Sequence, residues 1–65
     1  MPSSVIRHYV YDAAGRRLDI LFVSGRRYSY HDVPPEIADA MGAAPSKGSY
    51  FNEMIRDRYR FTRRR

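Results

Sequence analysis

Two residue types stand out for what they could do chemically: arginine and tyrosine. Eleven of the twelve basic side chains are arginine, and Arg56, Arg58, Arg60, Arg63, Arg64 and Arg65 crowd the last ten residues. A guanidinium presents a planar fork of donors that grips phosphate oxygens and can lie flat on a base. The grouping therefore points to nucleic acid, with an affinity that falls steeply as salt rises, because neutralised phosphates release counterions. The plainer reading is a solvated charged tail with no specific partner. Arg16, Arg17, Arg26 and Arg27 form a second set around two turns at opposite ends of one strand, so not all can join one patch.

Tyr28 and Tyr30 are spaced to share one face of a strand. Exposed there, they could stack on unpaired bases. Buried, they are core residues with hydroxyls at the rim. A third candidate is the anion-friendly "SKG". Ser46 is placed to cap a helix, and Lys47 with Gly48 would let an anion approach the free amides. The spacing is not that of a phosphate-loop nucleotidase. Packing alone also accounts for Gly48. His8, His31 and Asp32 are the sole hint of acid–base chemistry, as in a small ribonuclease, but no spacing brings the histidines together. The sequence therefore predicts no catalytic residues, no metal site and no cofactor.

What must position these groups is a short chain. With 65 residues and no cysteine there is one domain, without disulfides or thiolate metal sites. The net charge is +5, and nine aromatics, six of them tyrosine, supply a compact core. No apolar run approaches the ~20 residues of a membrane span, and no signal peptide is visible, which predicts a cytoplasmic protein without membrane association.

The first half reads as three strands. In "VIRHYVYD", Ile6, Tyr9 and Tyr11 point inward, and the three-residue step from Ile6 to Tyr9 demands a bulge near Arg7-His8. "LDILFV" puts Leu18, Ile20 and Phe22 on one face. Parity then chooses the turns. A three-residue Val23-Ser24-Gly25 loop pairs Ile20 with Tyr28 and Leu18 with Tyr30, and places Gly25 at the left-handed position. A four-residue loop at 13–16 pairs Tyr11 with Leu18 and Tyr9 with Ile20. Both choices keep the apolar set on one side.

The period then changes. Pro35 suits a first helical position, Ile37, Ala40, Met41 and Ala44 follow at helical spacing, and Gly42 with Pro45 ends a short helix. Ser46 starts a second helix, expected over residues 47–59, whose Phe51, Met54, Ile55 and Tyr59 stripe covers the meander. The fold expected is α+β: a three-stranded antiparallel β-meander followed by two helices packed on one face. Residues 1–60 form the domain, and 61–65 a basic, disordered tail.

The order of these features resembles the KTSC domain, a module found at the C-terminus of some lysyl-tRNA synthetases and as a free-standing small bacterial protein. The resemblance runs from "SSVIRHYVYD" through "LDILFVSGRRYSYHDVP" to "APSKGSYFNEMIRDRYR". It includes the tyrosine-x-tyrosine at Tyr28-Ser29-Tyr30, the Val33-Pro34 step and the Ala44-to-Phe51 block. It suggests RNA binding largely through the association with a tRNA enzyme. The arginine tail after Tyr59 departs from the pattern. The functional expectation is a monomeric, non-catalytic module that binds RNA or another nucleic acid through Arg56, Arg58, Arg60, Arg63, Arg64 and Arg65, with Lys47 contributing. The alternative is a protein-interaction domain that uses exposed tyrosines and binds no nucleic acid.

Overall fold

The computed structural model describes residues 6–64. Four strands and two helices follow one another as β1 (Ile6–Asp12), β2 (Arg17–Phe22), β3 (Arg27–Tyr30), α1 (Pro35–Ala43), α2 (Lys47–Met54) and β4 (Phe61–Arg64). The strands form one antiparallel sheet in the order β1-β2-β3-β4. Among the described residues no helix is long and apolar enough to cross a membrane.

The two hairpins take the registers that parity demands. Tyr9 pairs with Ile20 and Tyr11 with Leu18, and the register shifts between Ile6 and His8, where the bulge lets Ile6 and Tyr9 share a face. Across the second turn, Ile20 pairs with Tyr28 and Leu18 with Tyr30. Gly25 has φ 92° and donates its amide to the Phe22 carbonyl at 2.9 Å. A side chain would resist that backbone conformation, so the loop tip needs glycine.

The helices cover one face of the sheet. Pro34 stands at the N-terminal boundary of α1, its carbonyl accepting the Ala38 amide at 3.3 Å, with Pro35 in the first turn, and the Ser46 hydroxyl accepts the Ser49 amide at 3.2 Å to cap α2. Leu18, Ile20, Tyr30, Val33, Met41, Phe51 and Ile55 form the buried cluster, with Tyr9, Tyr11, Phe22, Tyr28 and Tyr50 packed around it. On α1 Ala38 and Met41 are buried and Ile37 packs against the cluster, while Ala40 is exposed.

Val33, fully buried, is held at both backbone groups. Its amide donates to the Arg16 carbonyl at 2.9 Å, and the Tyr11 hydroxyl donates to its carbonyl at 2.7 Å. The first hairpin thereby clamps the segment leading into α1. Tyr11→Phe strands that carbonyl and is expected to cost about 1–2 kcal/mol in a urea titration, with the sheet unchanged by circular dichroism.

Two expectations are corrected here. The second helix ends at Met54, short of Tyr59. The amides of Ile55 and Arg56 both donate to the Phe51 carbonyl, at 3.0 and 2.9 Å, and residues 55–58 form turns that reverse the chain. The reversal delivers residues 61–64 to the outer edge of β3, where they pair as a strand and not as a frayed tail. The driving force is the unpaired edge of β3, whose backbone groups gain partners, together with Phe61, which sits against Tyr28 and Tyr30. Arg65, the last of the expected binding arginines, lies outside the described residues.

Candidate functional site

Strand alternation puts Phe22, Tyr28, Tyr30, Phe61 and Arg63 on the same face as the helices. The helices close over the Leu18–Tyr30 end of that face. Towards the second hairpin Phe51 of α2 packs edge-on against Phe22 and Tyr30 at ring separations of 5.4 and 5.3 Å. Beyond it the face opens into a groove of about 670 Å³ between the hairpin, β4 and the C-terminal end of α2.

The floor of this groove is aromatic. Tyr28 lies 5.5 Å from Phe22, 5.4 Å from Phe61 and 6.4 Å from Tyr30, the last pair nearly parallel at 25°. Phe61 is 51% exposed, so its ring is available from the groove side. Arg26 and Arg56 stand on its walls, together with the opposing carboxylate of Asp57. The arrangement can accept a flat aromatic group on the exposed Phe61 ring, with Tyr28 at its edge, and a negative charge beside it.

The two tyrosines of the Tyr-x-Tyr motif therefore differ. Tyr30 is 4% exposed and belongs to the core, whereas Tyr28 is half-buried and lines the groove. Burial pushes the Tyr30 hydroxyl above the ordinary tyrosine value; neighbouring Tyr28 and Asp57 add to this and Arg56 opposes it. Tyr50, whose hydroxyl donates to the Ile37 carbonyl at 3.0 Å, is raised in the same direction, chiefly by burial. Both groups hold their protons more tightly folded than unfolded. Their contribution is therefore complete below about pH 10, the usual tyrosine pKa, and is lost as pH rises through the higher folded values. The expected result is a urea midpoint insensitive to these two groups at neutral pH and falling above about pH 10.

Between the tyrosines, Ser29 points to the opposite face yet is 2% exposed. Its hydroxyl donates to the Asp19 carboxylate at 2.5 Å; Arg17 also donates to Asp19, and Arg64 approaches the same hydroxyl at 3.4 Å. This network ties β4 to β3 and β2 from outside and fixes Arg64 there.

The other arginines divide. Arg60 pairs with Asp32 at 3.4 Å in an exposed bridge, and Arg58 donates to the Glu53 carbonyl. Arg63 and Arg64 are carried by β4 to the second hairpin, where Arg64 pairs in register with Arg27 and Arg63 with Tyr28. Terminal and hairpin arginines thus meet, which could not be read from their separation in the chain. Arg16 and Arg17 remain by the other turn, where Arg17 pairs with Asp12 and Asp19.

At "SKG", the Ser46 hydroxyl is engaged by Ser49, the Lys47 ammonium lies 3.5 Å from the Gly42 carbonyl, and Gly48 is buried. The histidines lie apart. His8 is on edge strand β1 opposite Leu21, while His31 follows β3 with its Nε2 2.8 Å from the Thr62 hydroxyl on β4. At least two strand spacings separate them, roughly 10 Å. Among the described residues no group of three or more potential metal ligands occurs.

Two helices on one face of a small antiparallel sheet, with an aromatic groove left open at one end, define a small α+β module. The chain belongs to the KTSC domain family, which it matches over residues 2–59. It is 40% identical over 58 residues to a lysine–tRNA ligase of Nostoc punctiforme, covering 89% of this chain but only 10% of the ligase. Against a small uncharacterised protein of Stutzerimonas stutzeri it is 38% identical over 64 residues, covering 97% of this chain and 90% of the other. The crystal structure of a KTSC domain protein from Yersinia pestis superposes with a TM-score of 0.90 at 30% identity, covering all of this chain and 92% of that one. The last two matches take in the region of β4, so the terminal strand lies within the shared length.

Proposed function

We propose that this domain is a non-catalytic, cytoplasmic module that binds single-stranded RNA or a similar nucleic acid in the groove between the second hairpin, β4 and α2. The observation that carries the reading is the half-exposed Phe61 ring beside Tyr28, flanked by Arg26 and Arg56. An aromatic floor with an exposed ring and cationic walls suits an unstacked base attached to phosphate. A regular duplex keeps its bases stacked and cannot offer a face to that floor. The family tie is in keeping with an RNA ligand, since relatives that contain this domain as a tenth of their length are lysine–tRNA ligases.

The same groove has a second use, as a seat for an apolar side chain of a protein partner. Val23, 57% exposed at its rim, favours that occupant. Anisotropy titrations of a labelled single-stranded RNA at several salt concentrations separate the two. Nucleic-acid binding gives an affinity that falls by orders of magnitude from low to physiological salt, whereas no binding at low salt ends the RNA reading.

A further inference from the structure

The tip of the second hairpin carries its own recess. It is lined by Ser24, Gly25, Arg26, Arg63 and Arg64, has a volume of about 610 Å³ and contains no carboxylate among these residues. Arg26 and Arg63 are exposed and make no ion pair among the described residues. Gly25 has nothing within 4 Å of where a Cβ would stand, so the mouth is open. Two exposed guanidinium groups lining one recess without a counter-charge repel one another, and an anion entering the recess relieves this. The recess adjoins the aromatic groove, since Ser24 and Arg26 line both.

We infer that this recess is a phosphate subsite, held chiefly by Arg26 and Arg63, that takes the backbone phosphate next to the base stacked on Phe61 and Tyr28. The inference rests on the nucleic-acid reading and sharpens it: the ligand is an extended single strand whose backbone runs along β4 towards the hairpin tip. Spacing supports this. Phe61 and Arg63 are two residues apart on one strand face, about 6.7 Å, comparable to one nucleotide step of an extended strand. Two guanidinium forks lining the recess suit the several oxygens of a phosphodiester.

The test uses the full chain with a short oligouridylate, the same-length RNA as a hairpin duplex, and inorganic phosphate. Arg26→Gln combined with Arg63→Gln should lower the slope of log affinity against log salt for the single strand by roughly 0.7 per lost phosphate contact. Amide shifts at Phe61 on adding the oligonucleotide should persist. Arg26→Lys with Arg63→Lys should restore the slope, and Arg7→Gln, on exposed β1, should leave it unchanged. Inorganic phosphate should shift the Ser24–Arg26 amides and not that of Phe61, and the duplex should bind more weakly than the single strand. An unchanged slope in the double glutamine variant, with Phe61 still responding, overturns the phosphate subsite while nucleic-acid binding stands. No response of Phe61 to any single strand overturns both.

Discussion

Replacing Phe51 by alanine is expected to remove most of the stability of the domain. Phe51 is 4% exposed and is the one ring of α2 packed between Phe22 and Tyr30. Truncating a buried phenylalanine costs about 3–5 kcal/mol through lost transfer energy and the cavity left behind. A chain of 65 residues has a total unfolding free energy of about 3–10 kcal/mol. The variant should therefore unfold at low urea or be largely unfolded at 37 °C, with loss of the near-ultraviolet tyrosine signal. Phe51→Leu retains most of the volume and should lose far less. A Phe51→Ala protein of nearly unchanged urea midpoint would mean that α2 does not hold the sheet as described.

Phe61→Ala should separate binding from stability in the opposite sense. The ring is half in solvent at an edge strand, so its loss costs about 1 kcal/mol of stability. If a base stacks on it, the same change removes about 1–3 kcal/mol of binding, a fall of roughly 5- to 150-fold for single-stranded RNA. Anisotropy titration and a urea curve on the same preparation report the two effects. Equal affinity in wild type and variant would remove Phe61 from the site. With no tryptophan in the chain, quenching of tyrosine emission by RNA offers a second reading of stacking near Tyr28.

The sheet was legible because its constraints are discrete. A strand face has period two, so only one loop length kept Ile20, Tyr28, Leu18 and Tyr30 together, and the odd step from Ile6 to Tyr9 announced the bulge. The end of α2 was not legible. No glycine or proline interrupts residues 49–65, and the helical stripe continues to Tyr59, although the structure stops at Met54 when the Phe51 carbonyl takes two amides. β4 was hidden by composition, since a run of arginines reads as a solvated tail. The overlooked signal was the Phe61-Thr62 pair, good strand formers, together with the outer edge of β3 that a three-stranded meander leaves unpaired.

The candidate site was missed for the same reason. Its aromatic residue Tyr28 was identified, but only as a core or stacking residue. Its partner Phe61 and the neighbours Arg26 and Arg63 come together only when β4 docks. Of the other residues expected to bind, Arg58 contacts the Glu53 carbonyl, Arg60 the Asp32 carboxylate and Lys47 the Gly42 carbonyl, and none of the three lines this groove. Charge counting found the arginines but could not say which of them face the same groove.

The most direct measurement is a two-dimensional amide and aromatic NMR titration of the isotope-labelled protein with single-stranded RNA at low salt, repeated at high salt. Shifts are expected at Phe61, Tyr28, Arg26 and Arg56, vanishing as salt rises, with Leu18 and Met41 unmoved. Shifts confined to the opposite sheet face around His8 and Val10, or no shifts at low salt, would contradict the proposed site.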